Sequence, residues 1–418
     1  MNKDSNGIGA GVTAPLCDEA RVLARLLAGA GTTLLCEVLA ALADLPSTVT
    51  RRHLEHLVRT GLALHTGEGY APVSGSRIDK PLVPDLAAWA RVTEWHLACV
   101  YRAAQVLGSA ALPGGETITM PADRPALDPR NATAAITWYQ ATHTRLLSAL
   151  DRAVAARDHG PAWRLALLTL NVAAVAGPAG DWEEVVELGL DAARSDPAAS
   201  PLVAAMVMEY QGKLLVHTGQ FEDARNAHGA ALALREESGD LLGAARSING
   251  LGLVALREGE IPAAVSLFAR ALDAAVSAGS AEFAAYARLN LGAALAEQGQ
   301  ARQAREQLEQ AASYLRGAGR GNYLADTLHR LAATHRAEGD HARALVLATE
   351  AVHEATCAGL PMYLAGPLCE LAEIHLVLGD TTVARAALAE ARGIYAELGD
   401  VVRAVRIEGR IEAIGAAA

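Results

Sequence analysis

The 418-residue sequence has few aromatic side chains, at 4% of the chain, and only three lysines. It is nevertheless 51% hydrophobic, so its apolar mass consists mainly of Ala, Leu and Val, and the first two are the best helix formers. With only 20% charged residues, the composition excludes a chain that is disordered throughout. These shortages together predict helices that pack closely through small side chains.

Paired cysteines and long apolar runs are also absent. The five cysteines form no CxxC pair and lie on apolar stretches, which is typical of reduced, cytoplasmic thiols. No apolar run reaches the roughly 18 residues that a membrane span needs. Residues 1–16 lack the charged and apolar regions of a signal peptide. We therefore expect a cytoplasmic protein with a flexible segment at 1–16 and no membrane partner.

An excess of positive charge is missing as well. The formal charge is −11, so the surface as a whole does not attract nucleic acid. Residues 1–80 hold eight Lys/Arg and eight Asp/Glu and are neutral. Residues 81–418 hold 28 and 39, which accounts for the whole deficit. The first 80 residues are therefore electrically neutral, whereas the rest of the chain is acidic.

Motifs for catalysis are absent. The sequence contains no GxSxG and no HExxH, and its Cys and His residues do not follow zinc-ligand spacing. Only Lys213 follows a glycine, and Leu214 stands where a Walker A loop has Ser or Thr. We therefore predict no cofactor and no metal, and we favour a protein that is not an enzyme. The catalytic alternative is a pocket of His329, Glu370 and Tyr286.

What the sequence does have is a period of 40 residues. Two glycine series and two alanine series keep this step without a break: Gly219, Gly259, Gly299, Gly339 and Gly379; Gly239, Gly279, Gly319, Gly359 and Gly399; Ala224, Ala264, Ala304, Ala344 and Ala384; Ala231, Ala271, Ala311, Ala351 and Ala391. Each glycine can end a helix in the left-handed conformation, and each alanine lets a neighbouring helix approach.

This pattern resembles the tetratricopeptide repeat (TPR), whose usual period is about 34 residues. The resemblance implies an all-α fold with a TPR-like right-handed α-solenoid. We expect about six 40-residue repeats over residues 161–400 and a capping helix over 401–418.

Such a solenoid has a concave face, or groove, that suits ligand binding. Counting along the repeats places aromatic and polar residues on this face: Tyr210, Lys213, Arg246, Asn249, Tyr286, Asn290, His329, Arg330 and Glu370. Asn249 and Asn290 carry the most weight, because an amide can donate to and accept from a peptide backbone. The alternative is that these residues only solvate the groove or bridge adjacent helices.

Residues 17–80 predict three helices followed by a hairpin. The third helix begins after Pro46 and stops at Gly61, and residues 65–70 form the turn of the hairpin. The order is similar to that of winged helix-turn-helix regulators. The resemblance implies that one face of the third helix contacts DNA, with these candidates: Ser47, Thr48, Thr50, Arg51, Arg52, His56 and Arg59. The neutral charge of this module favours the alternative that it binds protein.

Residues 81–160 predict a helical connector interrupted by a proline-rich loop at 110–132. An aromatic-bearing helix precedes the loop, and Ala135-Ile136-Thr137-Trp138 follows it. The repeats contain Ile248-Asn249-Gly250-Leu251-Gly252 and Leu289-Asn290-Leu291-Gly292. In order and spacing the chain resembles the sensor half of STAND-type antibiotic-pathway regulators, without their NTPase domain.

The favoured function is therefore a non-catalytic regulator of secondary metabolism. Its groove binds a peptide, protein or small metabolite and controls the winged-helix module, which contacts DNA. Two alternatives stay open: an adaptor that binds only proteins, and a pathway enzyme or substrate-peptide binder on the same scaffold. The sequence does not identify the ligand or decide whether the chain forms a homodimer.

Overall fold

The computed structural model describes residues 16–30, 33–67, 69–73, 81–108, 110, 112–119, 129–178, 180–398 and 400–417. Within these ranges the chain forms eighteen α-helices and one two-stranded hairpin, which confirms the all-α class with TPR-like repeats. Of the segment expected to be flexible, residues 1–16, all but the last residue lie outside the described part, as do Gly399 and much of the proline-rich loop. No helix in the described part is long and apolar enough to cross a membrane.

The N-terminal module has three helices and a hairpin. These elements are α1 (Asp18–Ala30), α2 (Cys36–Ala43), α3 (Ser47–Arg59), β1 (Ala63–Thr66) and β2 (Gly69–Pro72). The strands pair antiparallel, and Leu34 adds two backbone hydrogen bonds of 2.8 Å to Tyr70 on β2. A shared core that includes Leu39, Leu54 and Leu57 holds the module together. The element order is the one expected for a winged helix, and the winged-helix assignment itself stays a prediction.

Two long helices link this module to the repeats. These are α4 (Leu86–Val106) and α5 (Ala132–Ala155), separated by a 3₁₀ turn at Pro113–Gly115. The side chains of Asp85 and Asn131 cap their N-termini by accepting hydrogen bonds of 2.8 and 2.9 Å from backbone N–H groups.

Helix α4 contributes to two hydrophobic cores. Its Trp95 and Cys99 lie in the core of the N-terminal module, whereas Leu97 and Val100 lie in the core of the first repeats. Arg91 also donates a 2.8 Å hydrogen bond to the carbonyl of Ala41 on α2. The module is therefore held to the repeats by a packed helix.

The repeats form thirteen further helices. They are α6 (His159–Ala176), α7 (Trp182–Ser195), α8 (Pro201–Thr218), α9 (Phe221–Glu237), α10 (Leu241–Arg257), α11 (Ile261–Ser277), α12 (Ala281–Glu297), α13 (Ala301–Gly317), α14 (Gly321–Ala337), α15 (His341–Ala358), α16 (Pro361–Val377), α17 (Thr381–Glu397) and α18 (Val401–Ala417). From α8 onward, equivalent helices begin 40 residues apart, and the nine described loop glycines have φ between +66° and +86°. The predicted left-handed helix ends are confirmed at these nine positions.

Close packing depends on glycines inside the helices. A Cβ added to Gly252 on α10 would lie 2.6 Å from the Phe268 ring, and one added to Gly292 on α12 would lie 2.7 Å from Leu308. Both contacts are too short for real atoms. The missing side chain at each position admits the partner helix.

Candidate functional site

The concave face is formed by one row of helices. Helices α8, α10, α12, α14 and α16 each contact the next member of this row, whereas α9, α11, α13 and α15 contact mainly their sequence neighbours. In a curved stack the inner row is compressed and the outer row is spread. The predicted groove residues lie on this inner row.

An amide pair spans two of these helices. Asn290 on α12 donates a 2.9 Å hydrogen bond from Nδ2 to Oδ1 of Asn249 on α10. Both side chains are half-buried. The other two amide atoms of the pair, Nδ2 of Asn249 and Oδ1 of Asn290, make no hydrogen bond within the described residues. One side-chain donor group and one side-chain acceptor are therefore available to a bound backbone.

Three tyrosines continue the inner face toward the C-terminus. Tyr286, Tyr323 and Tyr363 lie on α12, α14 and α16, with ring centroids 4.2 and 5.6 Å apart along the row. The Tyr286 hydroxyl donates a 2.8 Å hydrogen bond to Glu282. Sequence reasoning found Tyr286 and missed the other two. The row provides an apolar wall with polar edges, which suits a peptide's side chains.

The start of the groove is occupied by a charged cluster around the buried Glu209. This carboxylate accepts hydrogen bonds from Lys213, at 2.6 Å, and from the fully buried Arg235, at 2.7 Å. Burial raises the pKa of Glu209, but the two cations outweigh this and hold it well below its usual range. Lys213 also lies 4.5 Å from the centre of the Tyr210 ring, and Tyr210 accepts a 2.8 Å hydrogen bond from Asn171.

Several predicted ligand residues already have protein partners. Arg330 donates a 3.1 Å hydrogen bond to Asp326, and His329 lies 3.4 Å from the same carboxylate. Glu370 accepts a 2.6 Å hydrogen bond from Arg336. Burial lowers the pKa of His329 to about 4, so it is neutral near pH 7. The pocket suggested as a catalytic alternative thus has its members engaged with other residues.

Two groove arginines have no hydrogen bond or ion pair within the described residues. Arg246 lies 6.0 Å from the centre of the Phe283 ring and is close enough to the Glu209 carboxylate to help lower its pKa. Arg257, at the end of α10, is exposed, and partial desolvation followed by the nearby guanidinium groups of Arg403 and Arg330 lowers its pKa. The nearby carboxylates of Asp400 and Glu297 act in the opposite direction, so the Arg257 guanidinium lies among charges of both signs.

The superhelix curls until its last helices reach its first ones. Leu360, only 6% exposed, belongs to the same apolar cluster as Val207 and Leu214 on α8, and Tyr363 packs against that cluster. Arg403 of α18 lies close enough to Arg257, at the end of α10, to help lower its pKa. The groove is therefore bounded by inner helices of both the first and the last repeats. The repeat pattern in the sequence does not reveal this closure.

The structure corrects two of the DNA-contact candidates. Ser47 and Thr50 are 6% and 0% exposed, because they share the inward face of α3 with Leu54 and Leu57 at helical spacing. The remaining candidates are exposed or half-buried: Thr48, Arg51, Arg52, His56 and Arg59. Arg51 donates a 3.3 Å hydrogen bond to Glu37, which partly neutralises this face.

Comparison with known proteins agrees with the repeat assignment. Residues 203–275 match the profile of the Tetratricopeptide repeat family. No curated protein matches the sequence.

The solved structures that resemble this one are distant. They include apo RapI (12% identity, 61% of this chain and 99% of that chain, TM-score 0.47). A second is the apo form of the quorum sensor NprR from B. thuringiensis (13% identity, 65% of this chain and 78% of that chain, TM-score 0.45). A third is the Rap conjugation gene regulator of plasmid pLS20 in complex with the Phr* peptide (13% identity, 63% of this chain and 77% of that chain, TM-score 0.47). At these values the likeness carries no argument about function.

Proposed function

We propose that this protein is a regulator whose TPR-like groove binds a short peptide and thereby controls the N-terminal module. The observation that carries the proposal is the Asn249–Asn290 pair, which has one donor and one acceptor available on the inner face. An extended peptide backbone offers alternating N–H and C=O groups with this complementarity. Backbone recognition of this kind secures the ligand with little demand on its sequence.

Two neighbouring features define the chemistry of that peptide. The row of Tyr286, Tyr323 and Tyr363 accepts apolar or aromatic side chains. Arg257, which is exposed at the end of α10 and makes no hydrogen bond or ion pair within the described residues, accepts a carboxylate. The ligand is therefore an apolar peptide with a carboxylate at one end, either its C-terminus or an acidic side chain.

Control of the N-terminal module follows from packing. Helix α4 supplies residues to both cores, so a change in the first repeats displaces the module as well. The output is DNA binding by the exposed face of α3, which carries Thr48, Arg51, Arg52, His56 and Arg59. A role in secondary metabolism belongs to the same proposal and rests on the order of modules in the sequence.

The test is selection from a positional-scanning library of heptapeptides with free C-termini. The untagged native protein captures a subset, which mass spectrometry identifies. The double variant Asn249→Ala/Asn290→Ala is expected to capture none of this subset. Asn226→Ala removes an exposed amide from α9 on the outer row and is the matched control. Equal capture by all three proteins, or no enrichment by any, would overturn the proposal.

A further inference from the structure

Three potential metal ligands meet where the chain enters α1. Cys17 precedes that helix, Glu19 lies in its first turn, and His53 lies on α3. One ligand atom from each residue falls within 4.8 Å of the other two. They are the one such group of three among the described residues. Cys17 and Glu19 are exposed and His53 is half-buried, so the site is open to solvent.

The distance between the cysteine and histidine ligand atoms fits tetrahedral coordination. Cys17 Sγ lies 3.6 Å from His53 Nδ1. A zinc ion bound at about 2.3 Å from sulfur and 2.0–2.1 Å from nitrogen, at a tetrahedral angle, separates those two atoms by about 3.6 Å. Sulfur and imidazole nitrogen are ligands that select zinc over magnesium or calcium.

We propose that Cys17, Glu19 and His53 form a Zn²⁺ site, with water in the fourth position. Binding converts the Cys17 thiol to a thiolate, and the proton leaves to solvent. The ion joins the start of α1 to the middle of α3 across 36 residues of chain. It therefore fixes the helix that carries the exposed arginines. This inference does not depend on the groove or on its ligand.

A second Cys–His contact provides a matched control. Cys357 and His353 lie one turn apart on α15, with Sγ 3.7 Å from Nε2, and Cys357 is exposed. No third ligand joins them among the described residues. A comparison of the two sites separates a built three-ligand site from an ordinary surface thiol beside an imidazole.

The experiment titrates untagged full-length protein with Zn²⁺ in the presence of a non-thiol reductant and follows binding by competition with a chromogenic chelator. We expect one tight equivalent in the native protein and in Cys357→Ser. Cys17→Ser and His53→Ala should each weaken binding by at least about tenfold, because each leaves only two ligands. Circular dichroism checks that these substitutions leave the fold intact.

Co²⁺ provides the second readout. Bound at this site it should show a thiolate-to-metal charge-transfer band together with the intense visible absorption of four-coordinate cobalt. Both signals should disappear in Cys17→Ser and persist in Cys357→Ser. The proposal is overturned if the native protein binds no tight equivalent, if Cys17→Ser keeps it, or if the cobalt complex lacks the thiolate band.

Discussion

At the residue scale, the most informative positions are those where a side chain is missing. Gly252 and Gly292 were predictable from the repeat, because a small residue recurs where two helices must approach. The pairing of Glu209 with Arg235 was not predictable, because their 26-residue separation follows no repeat position. The same holds for Cys17 and His53. Local patterns reveal which residues a fold needs, whereas contacts between different helix faces depend on the final packing.

Gly252→Ala should destabilise the protein by about 1–3 kcal/mol, because the new methyl group would overlap the buried Phe268 ring. Gly229→Ala is the control. Nothing lies within 4 Å of its added Cβ in the interior of α9, so it should be neutral or stabilise by up to about 1 kcal/mol. Urea unfolding followed by circular dichroism measures both. Equal effects of the two substitutions would refute the packing argument.

Because of His228, the free energy of unfolding should decrease as the pH falls. It is 1% exposed between Gly212 and Gly250, and burial lowers its pKa to about 4. The unfolded chain binds the proton near pH 6.5, so stability is full above that pH and is lost as pH falls toward 4. His228→Asn should reduce this slope by up to about 1.4 kcal/mol per pH unit.

The measurement is the free energy of unfolding at intervals from pH 7.5 to 4.5. His96 and His329 also have a pKa of about 4 from burial, so part of the slope persists in the variant. Glu209 contributes only at the acidic end of this range, because its pKa is lowered and the unfolded chain takes up its proton near and below pH 4.5. An unchanged slope in His228→Asn would show that this histidine is not buried neutral.

At the scale of elements, the helices from α8 onward follow from the glycine series, because each helix end needs a left-handed residue. Helix α3 is a different case. Its boundaries and basic residues were predictable, yet two polar residues assigned to its outer face lie inward. Ser47 and Thr50 fall at helical spacing from Leu54, so the apolar period was the better guide to orientation.

The exposed face of α3 should contribute to DNA binding through Arg52. Arg52→Ala should weaken binding to DNA from the upstream region of the protein's own gene and reduce the salt slope by about 1, because one phosphate contact is lost. Arg302→Ala, which removes an 85% exposed arginine from α13, is the control. Fluorescence anisotropy across a salt series measures both. Identical slopes for the variants and the native protein would assign α3 to protein binding instead.

At the scale of the whole molecule, the decisive feature is the closure of the superhelix. The 40-residue period determines the repeat but not the curvature, so the approach of α16 and α18 to α8 and α10 could not be predicted from the sequence. This approach places Arg403 and Asp400 near Arg257. An anionic ligand there would join the two ends of the groove.

Arg257→Gln should reduce affinity for a selected peptide by about tenfold or more, because one charge-assisted hydrogen bond to its carboxylate is lost. If the C-terminus supplies that carboxylate, amidating the peptide should produce the same loss in the native protein and little further loss in the variant. Isothermal titration calorimetry measures the four affinities. Equal affinity of Arg257→Gln and native protein for the unmodified peptide would remove Arg257 from the site.

The central claim is that occupancy of the groove controls DNA binding by the N-terminal module. The most direct test is the dissociation constant for DNA, measured by anisotropy with and without saturating selected peptide. The account predicts a change of about 5-fold or more in the native protein, the usual range of allosteric coupling. It predicts none in Asn249→Ala/Asn290→Ala. Equal DNA affinity of the native protein with and without peptide would contradict the account.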